Sequence, residues 1–218
     1  MSTPNDDTAT TQITIPSLLP SSNFYLAAGT ITLDPHRCRL LTIHNPTTHI
    51  TKLPRGHQDW DEPLPLTARR ETLEETGVHP TLLAVPLSTR CTAPTSSDHA
   101  LHAEAGRARW DEAGDVLLEG SARLVEPVAM MTHYQPDGAL AVVFWYVALA
   151  DSEAGAVCEP EAGCEARWVG YEEGVRAMVN GDYVKVIQQA IRLVGIIEEM
   201  DGPLTWYLTG AQHLDNRE

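Results

Sequence analysis

Glu71, Glu74 and Glu75 fall at i, i+3 and i+4 in the run Arg70-Glu71-Thr72-Leu73-Glu74-Glu75-Thr76-Gly77-Val78. On a helix that spacing brings three carboxylates to one face. Like charges so close repel one another unless a cation neutralises them. Carboxylate oxygens are hard ligands, so the fitting cation is Mg²⁺ or Mn²⁺ and not a thiophilic metal. An E-x-x-E-E run alone is most simply a solvated acidic helix face. Here it arrives together with Gly56, Glu62 and Arg70, in the spacing G-x5-E-x7-R-E-x-x-E-E-x-G-V.

A helix must carry these groups, and residues 66–76 are expected to form it. Pro63 or Pro65 suits a first turn, where a missing N–H costs nothing. Gly77 suits the left-handed position past the helix end. Leu66 and Leu73, seven apart, are expected to anchor the helix to a sheet, with Thr76 and Val78 extending the anchor. Strands are expected over 24–33, over 39–43 after the turn signal Asp34-Pro35, and over 49–53, which runs into Gly56. Another, over 81–87, leaves the helix. Residues 125–131 and the nearly all-apolar 140–149 read as further strands, joined near Pro136-Asp137-Gly138. Between them and the fourth strand lies a long insert, 93–126, expected to hold one short helix and to shape a pocket. Its His99, His102 and Glu104 read as exposed loop residues. His133 and Tyr134 close the fifth strand and face either a ligand or an edge.

An acidic loop over 151–164 precedes a short strand, 165–169, and a short helix, 171–180. Apolar residues at 183, 184, 186, 187, 190, 191, 194 and 197 predict a long helix over 183–200, with Asp182 as its cap. Residues 1–20 are polar, rich in Thr, Ser and Pro, and expected to be disordered. The tail, 201–218, holds Trp206, Tyr207 and Leu208, which suit docking, with a second copy of the chain as one surface and a homodimer as the result. The whole predicts one α/β domain over 21–200.

The spacing from Gly56 to Val78 resembles the Nudix box, the signature of hydrolases that cut a diphosphate linked to another moiety. Thr72, at a usually aliphatic packing position, is the one departure. The resemblance implies an α/β/α sandwich with a mixed sheet and a catalytic loop–helix–loop. It implies that Glu74 and Glu75 bind the metal, that Glu71 binds metal or orients the attacking water, and that Arg70 holds Glu71 by a charge-assisted hydrogen bond. Glu62 would stabilise the loop–helix geometry, and the Gly56 carbonyl would be a further metal ligand. The metal withdraws charge from the diphosphate and lowers the pKa of bound water. Glu71 is the preferred base and Glu165 the runner-up, ahead of Glu159, Glu161, Asp98, Glu104, Asp111 and Glu112. Lys52, Arg55 and His57 surround the start of the box and are candidates to grip the substrate. The turn Leu53-Pro54-Arg55-Gly56 is also similar to the opening of the box in diphosphoinositol polyphosphate and dinucleoside polyphosphate hydrolases. Such anionic substrates require a basic pocket, for which Arg37, Arg39 and Lys185 join Lys52 and Arg55 as candidates. A Nudix-fold binding module without turnover is the third reading, and such modules usually lose box glutamates that this chain keeps.

The 218 residues carry 30 Asp and Glu against 15 Lys and Arg, a net charge of −15. So acidic a surface repels nucleic acid and anionic membrane but not a small anionic diphosphate, whose binding local groups and bound metal decide. The four cysteines form no C-x-x-C pair. No basic start followed by an apolar core marks a secretory signal, and no apolar run is long enough to span a bilayer. These features predict reduced thiols and a location in the cytoplasm or nucleus.

Overall fold

The computed structural model describes residues 18–87, 108–110, 116–118, 123–160, 163 and 165–209. Two long apolar strands form its centre. β1 (Phe24–Asp34) and β9 (Leu140–Leu149) lie parallel, in register from Phe24 opposite Leu140 to Leu33 opposite Leu149. Beyond β1, β2 (Arg39–Asn45) pairs antiparallel at one end of it, and β4 (Arg55–His57) pairs antiparallel at the other. β3 (Ile50–Lys52) and β10 (Glu165–Gly170) flank β2. Beyond β9 lie β5 (Thr81–Leu82) and β8 (Ala129–Tyr134), both antiparallel to it. The sheet is therefore mixed, as expected.

Side chains alternate across this sheet, and its two faces take different helices. Ala27, Ile31 and Leu33 of β1 join Val143, Trp145 and Val147 of β9 in one buried cluster. The helix α3 (Gly181–Asp201) closes that face with Val186, Ile187, Ala190, Leu193, Val194 and Ile197. The opposite face, with Ala28 and Tyr146, meets Ala68 of the helix α1 (Leu64–Thr76). The result is the α/β/α sandwich.

α1 starts two residues earlier than expected, with Pro63 at its cap and Pro65 in its first turn. That shift changes the anchor. Leu66 is exposed, and the buried positions are Thr67, Ala68, Thr72, Glu75 and Thr76. A small and polar stripe thus lies on the sheet, where two leucines were expected. Its partner explains Thr72. The Thr72 hydroxyl donates to the Ala68 carbonyl at 2.7 Å and lies 2.8 Å from the Thr30 hydroxyl, itself 2.6 Å from Thr32. Each hydroxyl has one proton, so the chain of donation runs from Thr32 to Thr30 to Thr72 to the helix backbone.

Other boundaries differ for local reasons. Only Thr81 and Leu82 pair as a strand in the expected 81–87, yet Leu83, Val85 and Leu87 still alternate into the core. The strand predicted at 125–131 lies at 129–134, carrying His133 and Tyr134 into the hairpin at Gly138. The short helix, α2 (Tyr171–Ala177), stops before Asn180 because Met178 turns extended and bridges Thr51 of β3. Asn180, not Asp182, caps α3: its side chain accepts the Asp182 N–H at 2.8 Å. Asp182 instead pairs with Lys185.

Val85 and Leu124 exchange two backbone hydrogen bonds where the long insert leaves and returns. Within it β6 (Ala108–Trp110) pairs antiparallel with β7 (Val116–Leu118), and the expected short helix is not among its described residues. His99, His102, Glu104, Asp98, Asp111, Glu112 and Glu161 lie outside the described residues, as do residues 1–17. Beyond α3, Leu204 is the buried contact of the tail and Trp206 remains partly exposed. No described helix is long and apolar enough to cross a membrane.

Candidate active site

β4 and α1 meet at Gly56. A Cβ built on Gly56 would overlap the Glu71 carboxylate, so glycine is required here by the approach of Glu71. The carboxylate is thereby largely buried. Burial pushes its pKa up, against the opposing pull of Arg70.

Arg70 is the hub. Its Nη1 donates to Glu71 and to Glu74, each at 2.9 Å. Its Nε and Nη2 hold the two oxygens of Glu62, also at 2.9 Å, and Nη2 reaches the His57 carbonyl at 2.8 Å. The hydroxyl of Thr67 donates to Glu62 at 2.7 Å. With the guanidinium on both oxygens, the Glu62 carboxyl is held down at about 2. One arginine thus ties the loop before α1 to the helix itself.

Glu75 stands apart. It is buried on the sheet side of α1. Lys52 Nζ donates to one of its oxygens at 2.9 Å, and the Arg55 backbone N–H to the other at 2.7 Å. The three helix carboxylates therefore divide between two cations, instead of crowding together unneutralised. Among the described residues no three Asp, Glu, His or Cys side chains converge as a ready-made metal cage. Glu71, Glu74 and Glu75 nevertheless line one cavity of about 520 Å³, with Arg55, Gly56 and His57. Those side-chain oxygens suit a hard divalent cation, and the space above the bare Cα of Gly56 is what lets Glu71 reach it.

A second cavity, of about 600 Å³, opens between β8 and the start of α3, lined among others by His133, Asn180, Tyr183, Lys185 and Gln189. Arg55 lines both cavities. Its buried Nε has no hydrogen-bond partner among the described residues. The charge of Arg55 and burial hold the His133 pKa below its usual value, burial being the larger cause. A polar path runs between the cavities: the His57 ring lies 4.2 Å from that of Tyr25, and Gln135 reaches both the Tyr25 hydroxyl and His133.

The structure brings together Gly56, Glu62, Arg70, Glu71, Glu74 and Glu75, with Arg55 and His57 at the rim. Lys52 is engaged with Glu75. The wider basic pocket does not assemble. Arg37 is held by Asp34, Asp151 and Glu153, and Arg39 reaches Ser152, and neither lines either of these two cavities. Glu165 pairs with Arg167 on the edge strand β10, also away from both cavities, and Glu159 lines neither. Sequence reasoning left His133 uncommitted and passed over Tyr25, Thr67 and Gln135. Thr67 alone had a local signal, five residues after Glu62 at the start of a helix.

A NUDIX domain model matches residues 24–190, and the chain belongs to that family. It is a pyrophosphohydrolase of the Nudix type, a family that works with divalent metals. Among solved structures, a Nudix-family hydrolase from Clostridium perfringens is similar over 78% of this chain and 98% of its own, at 18% identity and a TM-score of 0.51. A Nudix hydrolase from Nitrosomonas europaea covers 79% of this chain and 89% of its own, at 12% identity and a TM-score of 0.46. A C. elegans Ap4A hydrolase covers 81% and 98%, at 14% identity and a TM-score of 0.45. No curated protein matches the sequence.

Proposed function

We propose that the chain hydrolyses the diphosphate of a nucleoside diphosphate joined to a second group, with Mg²⁺ or Mn²⁺ in the carboxylate cavity. The observation that carries the reading is Arg55, whose side chain is shared by the carboxylate cavity and the second cavity. A diphosphate lying across Arg55 places one phosphate among the carboxylates and its attached group against β8 and α3. A cavity of about 600 Å³ falls within the usual size of a small-ligand site.

Glu74 and Glu75 would hold the cation, joined by the Gly56 carbonyl. The bound cation withdraws charge from the diphosphate and acidifies water. Glu71 is the base. Burial raises its pKa, and a carboxylate moved up toward working pH is a better proton acceptor for water. Arg70 fixes its direction through Nη1, and Glu62 in turn fixes Arg70. Arg55, whose side chain lines both cavities, would donate to a phosphate oxygen.

The dinucleoside polyphosphate and diphosphoinositol readings share the support of the Pro54-Arg55-Gly56 turn, and both lack the wider basic pocket that such anionic substrates require. Lys185 is the other lysine or arginine lining the second cavity, and it is paired with Asp182.

The test is product release with Mg²⁺ or Mn²⁺ across ADP-ribose, NADH, dinucleoside polyphosphates, nucleoside triphosphates and a diphosphoinositol polyphosphate. Glu74→Gln serves as control, because Glu74 is a half-exposed carboxylate whose loss spares the fold. Turnover of a nucleoside compound is expected, reduced about a hundredfold or more by Glu74→Gln. Cleavage of the inositol compound alone, or full activity in the variant, overturns the reading.

A further inference from the structure

We propose that Lys52 is a built-in counter-ion to Glu75 that keeps this buried carboxylate in place without metal and weakens divalent-cation binding by its charge. The inference rests on the cation reading above, and it gives Lys52 a different task from gripping substrate.

The position of Lys52 is the first argument. Its Nζ lies 2.9 Å from Glu75, yet Lys52 does not line the carboxylate cavity. It comes from β3, while the cations and rings that line the cavity are those of Arg55 and His57 on β4. A substrate phosphate in the cavity meets Arg55 and His57 before it meets Lys52.

Burial is the second. Glu75 keeps 8% of its side chain exposed, against 54% for Glu74. An isolated carboxylate so buried is costly, and a paired, hydrogen-bonded one is not. Lys52 and the Arg55 N–H together occupy one lone pair on each Glu75 oxygen. Each oxygen retains a second lone pair for a cation. Lys52 therefore need not leave when a cation arrives, but its charge opposes the newcomer. The cavity side has a similar opponent in Arg70, which spans Glu71 and Glu74. Lys52 differs in serving one carboxylate only, so its removal is the cleaner experiment.

Lys52→Gln keeps a donor for Glu75 and removes the charge, while Lys52→Arg keeps the charge. Mn²⁺ binding is measured on the whole chain without substrate, from the electron paramagnetic resonance signal of free Mn²⁺. The Gln variant is expected to bind Mn²⁺ about fivefold or more tightly than the unmodified protein, since one charge a few Å away acts strongly in a half-buried site. The Arg variant should stay within about twofold by the same argument. Weaker or unchanged Mn²⁺ binding in the Gln variant overturns the proposal. So does unchanged binding with a raised KM, which would make Lys52 a substrate contact. If the Gln variant is unfolded without cation, Mn²⁺-driven refolding is followed by circular dichroism. Refolding supports the proposal, and failure to refold at saturating Mn²⁺ overturns it. Failure of the underlying cation reading looks different: the unmodified protein would itself bind no Mn²⁺.

Discussion

The two faces of the sheet are held by opposite means. α3 covers its face with six buried apolar or small residues set against Ile31, Trp145 and Val147. α1 covers the other with threonines, one alanine, a buried glutamate and, at its first residue, the partly buried Leu64. Apolar packing is strong but non-directional, so it tolerates small shifts of a helix. Hydrogen bonds are weaker in net terms and strict in geometry. The helix α1 is thus located by bonds that fix its rotation, and α3 by the area it buries. For a site that must hold Glu71 over the Cα of Gly56, rotation matters more than bulk.

This contrast predicts a separation of stability from chemistry. The largest effect on stability is expected on the α3 face. Ile187→Ala removes a fully buried side chain and should cost about 2–5 kcal/mol in urea unfolding. Turnover per folded molecule should stay near normal, and a parallel fall in kcat would break the separation. Glu74→Gln is its mirror image, with turnover lost and the unfolding midpoint kept.

A smaller effect is expected from Thr72→Val. It gives the family's usual aliphatic residue but leaves the Thr30 hydroxyl proton without its acceptor, at about 1–2 kcal/mol. Adding Thr30→Val and Thr32→Val together should recover part of that loss, because every orphaned donor of the chain goes with them. A triple variant less stable than the sum of the singles would show that the hydroxyl chain is not what matters.

The last effect concerns Glu62 and is read from its pH dependence. Its carboxyl is held at about 2, below an ordinary value of 4.5, by Arg70. A depressed folded-state pKa gives stability that is complete above the ordinary value and lost as pH falls toward the folded one. The Arg70 pair should therefore stabilise the fold fully above about pH 4.5 and fade toward pH 2. Glu62→Gln should flatten this acid limb in a pH series of melting temperatures. An unchanged slope would mean that the pair carries no stability.

The site was legible where its parts are local. Gly56, Glu62, Arg70, Glu71 and Glu74 lie within one loop and helix, and their spacing alone places them together. Gly77 adopts the left-handed φ of 70° that its position after the helix requires. The ends of elements were harder to place. Pro63 allowed α1 to start two residues early, and a threonine stripe replaced the leucines as its anchor. Asn180 took the cap because α3 starts at Gly181, which leaves Asn180 just outside to accept the Asp182 N–H and puts Asp182 inside the first turn, paired with Lys185.

By itself the sequence determined the chemistry: a helix presenting carboxylates after a glycine and a loop glutamate, with an arginine to hold them. Helical periodicity is a local rule, so residue spacing suffices. Only the tertiary structure decided which cation serves which carboxylate. Lys52 and Glu75 are 23 residues apart, and Thr30 and Thr72 are 42 apart. Arg55 comes between two cavities only because β4 pairs with β1 while β8 pairs on the far side of β9. Such meetings are set by sheet order and register, which depend on every strand at once and leave no mark in the neighbouring residues.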